Sequence, residues 1–136
     1  MAVDPSLAGR TFPPTAPFEV TEERIAAFAT ATGTPYDVGG PAPATFPIVV
    51  AFAAMQDLMN DPDVGIELHH VVHGSQKFVH RRPVRAGDRL TAELTVTGLR
   101  QVAGTDVITT SSAVSDADGA AVCTAEATLV HRAGAA

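Results

Sequence analysis

The sequence predicts an α+β domain in which a curved antiparallel sheet covers one apolar helix. Three observations carry that reading. Residues 46–60 are apolar on nearly every side for their first ten positions, and a helix of that kind in a globular protein has to be wrapped by other structure. From residue 68 onward the pattern switches to β-branched and alternating segments separated by turn residues. The chain has 136 residues, 46% of them hydrophobic, which suits one domain over 1–136 with a core of its own.

The elements follow in order. Residues 1–17 are irregular, because Pro13, Pro14 and Pro17 interrupt any regular helix. Residues 17–20 suit a short strand. Thr21 reads as a helix N-cap, with Glu22 and Glu23 in the first turn, where the helix dipole favours acids. Ile25, Phe28, Ala29 and Thr32 form one face, and Gly33 is a natural stop. A Pro/Gly-rich loop fills 34–44. Thr45 is the expected cap of the second helix, which ends at Asp61-Pro62. Ile48 and Phe52 read as ordinary core. Residues 68–84 read as a strand with a bulge at Gly74, and residues 86–88 as a turn. Leu90, Ala92, Leu94 and Val96 alternate with Thr91, Glu93, Thr95 and Thr97. Turns at 103–105 and 116–119 then separate strands at 107–114 and 122–130. One sheet cannot enclose a helix on every side, so a partner sheet from a second chain is expected.

Composition excludes several classes. Cys123 is the only cysteine, so no internal disulfide framework exists, and the five histidines have no zinc-finger spacing. No apolar run is long enough to span a bilayer, and the first residues lack a signal-peptide core, so a cytoplasmic protein is expected. The net charge of −6 argues against a general nucleic-acid binder. That charge is uneven. Lys77, Arg81, Arg82, Arg85 and Arg89 stand against Asp88 alone, a local +4.

The stretch 73–90, HGSQKFVHRRPVRAGDRL, resembles the hotdog-fold MaoC-like dehydratases, most clearly in RPVRAGDRL. The segments LAGRTFPP from Leu7, FEVTEERI from Phe18, APATF from Ala42 and TLVHR from Thr128 resemble the non-catalytic FAS1-type domain of that family. This is the acyl-binding subunit type of heterodimeric (3R)-hydroxyacyl-ACP dehydratases. The resemblance implies a long central helix wrapped by a five- to six-stranded antiparallel sheet, paired as a homo- or heterodimer. It also implies an acyl-CoA or acyl-carrier-protein thioester as ligand, and no cofactor or metal.

Dehydration of a 3-hydroxyacyl thioester needs a base for the C2 proton and an acid for the departing hydroxyl. Active relatives supply Asp and His from a D-x-N-P-(L/I)-H motif after the first helix. Aligned on Pro35, those positions hold Thr32 and Asp37, with Thr34 in place of Asn. The Asp/His pair is therefore absent on this reading. Relatives also carry about a dozen further residues before their P-x-T-F, where this chain has only 38–42.

By the same resemblance Pro43, Thr45 and Phe46 lie beside the acyl channel, with backbone N–H groups of the helix start facing the thioester carbonyl. Arg81, Arg82, Arg85 and Arg89 are candidates for a carrier phosphate or a partner subunit, since Arg grips phosphate and carboxylate in bidentate fashion. His69, His70, His73 and His80 read as strand residues, with His73 and His80 on opposite faces of a regular strand. Asp57 is a weaker candidate for water activation, as in some hotdog thioesterases. The leading expectation is an acyl-binding dehydratase subunit that needs a catalytic hotdog partner. A stand-alone acyl-thioester or small-ligand binding protein and a thioesterase are the alternatives.

Overall fold

The computed structural model describes residues 3–66 and 70–132; His69 of the sequence reading lies outside them. Helix α1 (Glu22–Thr32) starts where expected. The Thr21 hydroxyl accepts the Arg24 N–H at 3.1 Å, and Gly33 ends the helix at φ 67°, a left-handed conformation glycine adopts without strain. Ile25 and Ala29 are its buried stripe.

Helix α2 (Ile48–Asn60) begins two residues later than the sequence suggested. Pro47 sits at the cap and offers no side-chain bond there; Thr45 does not cap the helix and is exposed. A tight turn over 44–47 leads in, with Ile48, Val49 and Val50 donating to the carbonyls of Thr45, Phe46 and Pro47. The proline fixes its own φ and contributes no N–H, so the chain takes a turn before the regular helix.

Five antiparallel strands form one sheet: β1 (Phe18–Glu19), β2 (Val71–His80), β3 (Arg89–Val102), β4 (Thr105–Ser115) and β5 (Ala121–Arg132), in the order β1-β3-β4-β5-β2. The alternation read from 90–97 decides the inner face. Leu90, Ala92, Leu94 and Val96 are fully buried, and the intervening residues are not. Ile108, Val114, Ala125, Ala127 and Leu129 continue that face across β4 and β5. Val50, Ala54, Met55, Leu58 and Met59 of α2 complete the core.

The irregular N-terminal segment runs beside β3. Gly9, Phe12 and Thr15 donate to Val96, Leu94 and Ala92, and Val96 donates back to Arg10. Pro13 and Pro14 lack the donors that would make it a regular strand.

One expectation about α2 is corrected. Phe52 is 43% exposed rather than core. It belongs, with Gln56 and Asp57, to the flank that a single sheet leaves uncovered. Ile48 is half-buried against the core, as expected. No helix among the described residues is long and apolar enough to cross a membrane.

At the β3–β4 hairpin end of the sheet sits a buried polar cluster that the periodicity did not disclose. His131 donates from Nδ1 to the Asp106 carboxylate at 2.9 Å, and the Gln101 amide and the Val3 N–H donate to the same carboxylate. Burial works to raise the Asp106 pKa, but the three donors outweigh it and hold the group below its ordinary 3.8. A lowered folded pKa stabilises the fold above pH 3.8, and that contribution fades as the pH falls through the folded value. Asp106→Asn is therefore expected to cost about 2–3 kcal/mol in urea unfolding near neutrality. The gap to the natural chain should narrow below roughly pH 4 as the natural carboxylate protonates.

Candidate functional site

The loop entering α2 is held against the end of β2. Ala42 donates its N–H to the Val84 carbonyl at 2.7 Å, and His80 donates from Nε2 to the Ala44 carbonyl at 2.8 Å. Because a carbonyl only accepts, the proton on a neutral His80 lies on Nε2 and its Nδ1 keeps a lone pair. Between the two segments is a cleft of about 420 Å³. Its walls are Pro41, Ala42 and Ala44 on one side and His80, Arg81, Arg82, Pro83 and Val84 on the other. Two groups singled out separately in the sequence, the helix-entry loop and the basic stretch, thus meet here.

The four arginines are not equivalent. Arg82 reaches both Asp88 (2.9 Å) and Asp116 (3.2 Å), tying the turn after β2 to the β4–β5 turn. Asp88 also accepts the Arg85 N–H, so this carboxylate organises the RPVRAGD turn. Arg81, Arg85 and Arg89 are exposed and form no ion pair among the described residues. Only Arg81 and Arg82 line the cleft; Arg89 borders a separate one near Asp116.

Of the residues expected beside an acyl channel, Phe46 is 1% exposed and packs edge-on against Phe28 and tilted against Phe18, Pro43 is buried, and Thr45 is exposed. The N–H groups at the start of α2 are already taken by turn carbonyls, as are those of Phe46 and Ala51. They do not face outward as a free set.

Thr32 donates to the Phe28 carbonyl and contacts the Thr34 hydroxyl at 2.9 Å, an ordinary helix-end arrangement. Asp37 is exposed on the following loop and makes no bond with Thr32. The shortened loop is closed by Glu22, whose carboxylate accepts the Tyr36 hydroxyl and the Gly39 N–H. That bond raises the Tyr36 pKa, because the phenol's proton is held by the acid.

The histidine expectation is corrected. His73 pairs with Leu129 and His80 with Cys123, both on the inner face, because the ladder shifts register at Gly74. One extra residue in a bulge turns an odd spacing into same-side placement. His73 bonds Gln76 at 3.0 Å, and Phe78 lies beside His80. Asp57 is exposed in a different cleft, with Arg10, Phe12 and the Arg10–Asp61 ion pair. Cys123 is buried, and burial pushes its thiol up to about 11, so it is inert as a nucleophile. No cluster suited to a metal ion occurs among the described residues.

A curled five-stranded sheet around a central helix, with a cleft where the helix-entry loop meets the edge strand, defines a hotdog-fold protein of the MaoC-like dehydratase class. Residues 6–125 match the model of the FAS1-like, dehydratase domain region, and the chain belongs to that family. It is 42% identical to a UPF0336 protein of Streptomyces avermitilis over 146 aligned residues, covering 98% of this chain and 97% of the relative. Since the alignment is longer than the chain, the relative carries residues that have no counterpart here. Among solved structures it is similar to the HadBC (3R)-hydroxyacyl-ACP dehydratase complex of Mycobacterium tuberculosis. The TM-score is 0.78 at 28% identity, covering 91% of this chain and 96% of that one. A MaoC-like dehydratase matches at TM-score 0.77 and 26% identity, over 95% of this chain and 43% of that one.

The split among the arginines gives a direct expectation. Arg82→Ala should lower unfolding stability by about 1 kcal/mol or more, since it strips partners from two carboxylates. Arg81→Ala, Arg85→Ala and Arg89→Ala should each stay within about 0.5 kcal/mol by chemical denaturation.

Proposed function

We propose that this chain is the acyl-thioester-binding subunit of a (3R)-hydroxyacyl-CoA or acyl-carrier-protein dehydratase, acting in the cytoplasm with a catalytic hotdog partner. One observation carries the reading. Aligned on Pro35, the positions where active relatives hold Asp and His carry Thr32 and Asp37, on a helix end and an exposed loop with no bond between them. A neutral threonine hydroxyl is a poor general acid and a poor general base near pH 7, and a single carboxylate does not replace the Asp/His pair by simple substitution. The likeness to the HadBC dehydratase complex supports a two-chain assembly.

In this assembly the chain's task is to bind and orient. The cleft at 41–44 and 80–84 takes the carrier end of the thioester. Arg81 meets its phosphate, while Arg85 and Arg89 face the carrier or the partner. Arg82, engaged with two carboxylates, holds the turn that presents them. Pro43, Thr45 and Phe46 shape the entry to the acyl channel, which the partner sheet completes. The base and acid come from the other chain.

The purified chain is expected to leave crotonyl-CoA unhydrated, and to support hydration once mixed with a hotdog chain that carries an intact D-x-N-P-x-H. Arg81→Ala should weaken acyl-CoA binding about tenfold by calorimetry, the size of one charge-assisted contact to phosphate. Full hydratase turnover by the chain alone would overturn the assignment. Thioester cleavage abolished by Asp57→Ala would replace it with a hydrolase.

A further inference from the structure

Beyond the cleft, β2 continues its inward row of side chains. His73, Gln76, Phe78 and His80 pair with Leu129, Ala127, Ala125 and Cys123, all buried on the inner face. Helix α2 packs mainly on β3 and β4, so this end of the inner face keeps its own side chains partly open. Phe78 and Gln76 are half-buried, and His73 and His80 are exposed.

The exposed Phe52 borders the same strip. Asp57 stands five residues further along α2, about 140° round the helix, in the cleft of Arg10 and Phe12 beside β3. Phe52 is thereby turned away from β3, toward β5 and β2. At its other end the strip opens into the cleft, where His80 bonds the Ala44 carbonyl. An apolar chain leaving the cleft inward passes His80 and then Phe78, with Phe52 on its other side.

The strip changes character at the next step. Phe78 packs against the core, its ring 6.2 Å from that of His80. Gln76, the next inward residue, is fixed at both ends of its amide. Its Oε1 accepts from His73 Nε2 at 3.0 Å, and its Nε2 donates to the Lys77 carbonyl at 3.4 Å. A His–Gln pair on a strand is ordinarily plain solvated surface. This one stands on the inward face, in line with Phe78 and the cleft. Satisfied within itself, it offers a methylene chain nothing, and a chain laid across it strips water from polar groups without replacing it. At about 3.4 Å per residue, Gln76 lies about 14 Å along the strand from His80, the length of about ten methylenes at about 1.3 Å each.

We propose that the Gln76–His73 pair is the end stop of the acyl path and limits the ligands of this chain to acyl groups of about ten carbons or fewer. The inference rests on the acyl-binding role given above and adds the length of acyl group that the role takes. Phe78 and Phe52 supply apolar contact up to the stop, and the polar pair supplies the limit.

The test measures binding of the full chain to hexanoyl-, decanoyl- and tetradecanoyl-CoA by calorimetry, each below its micelle concentration. Affinity should rise about twofold to fourfold per added methylene up to decanoyl-CoA, and tetradecanoyl-CoA should bind no more tightly than decanoyl-CoA. Gln76→Leu, which sets an apolar side chain of similar size in place of the stop, should tighten tetradecanoyl-CoA at least about tenfold and leave hexanoyl-CoA unchanged. His73→Leu, at an exposed position, should shift the limit the same way. Gln76→Glu, which still accepts from His73, should keep it. Affinity that climbs through tetradecanoyl-CoA in the natural chain, or a limit that both leucine variants leave in place, overturns the end stop while the acyl-binding role stands. Binding of none of the three thioesters overturns the acyl-binding role and the end stop with it.

Discussion

A helix that is apolar on most sides demands more cover than one sheet provides, and much of this structure is arranged around that constraint. The inner faces of β3, β4 and β5 bury Val50, Ala54, Met55 and Leu58. The flank carrying Phe52 is left out. At about 25 cal/mol per Å² of apolar surface, the exposed part of Phe52 represents about 1–2 kcal/mol of burial not gained within this chain. The free edge of β2 belongs to the same incompleteness. A sheet that curls around a helix without closing leaves its end strands as borders, and here the one along β2 lies beside the cleft.

The division among the arginines shows how a local charge excess is converted into a fixed surface. Five cations within thirteen residues repel one another, and their turn has to be held by something. Asp88 and Asp116 hold it by gripping Arg82, one from within the turn and one from the neighbouring hairpin. The Asp88 carboxylate is further fixed by the Arg85 N–H. Arg81, Arg85 and Arg89 are then presented from a stiff base rather than from a loop. A partly buried network of this kind is worth more than isolated surface pairs, because its members are ordered by each other.

The elements with clean periodicity were legible in the sequence, and so were their stops. The Thr21 cap, the Gly33 terminus and the inner face of 90–97 lie where spacing put them. The start of α2 was misread, because Thr45 looks like a cap while Pro47 decides the geometry. The faces of His73 and His80 were misread because period-two counting assumes an unbroken ladder, and Gly74 breaks it. The Asp106–His131 cluster was invisible for another reason. Its members are distant in sequence and meet only through strand register, and no local pattern encodes that. The cleft was half legible: its two walls were both singled out, and their meeting was not, since it depends on bonds from Ala42 to Val84 and from His80 to Ala44.

The shortened loop after α1 joins these threads. A dozen residues removed from an active relative would leave α1 and α2 joined by a span that must turn sharply. Glu22 makes that turn tolerable by accepting both the Tyr36 hydroxyl and the Gly39 N–H, and Gly39 supplies the positive φ of 84°. The carboxylate that caps α1 electrostatically is thus also the clasp of the loop. The clasp fixes the loop that leads into Pro41 and Ala42 of the cleft wall. On the alignment at Pro35, the replaced Asp and His positions and the shortened loop fall in one segment, 32–42. On the two-chain reading proposed above, a fixed loop that holds the cleft wall suits a chain that binds and orients while the other chain supplies acid and base.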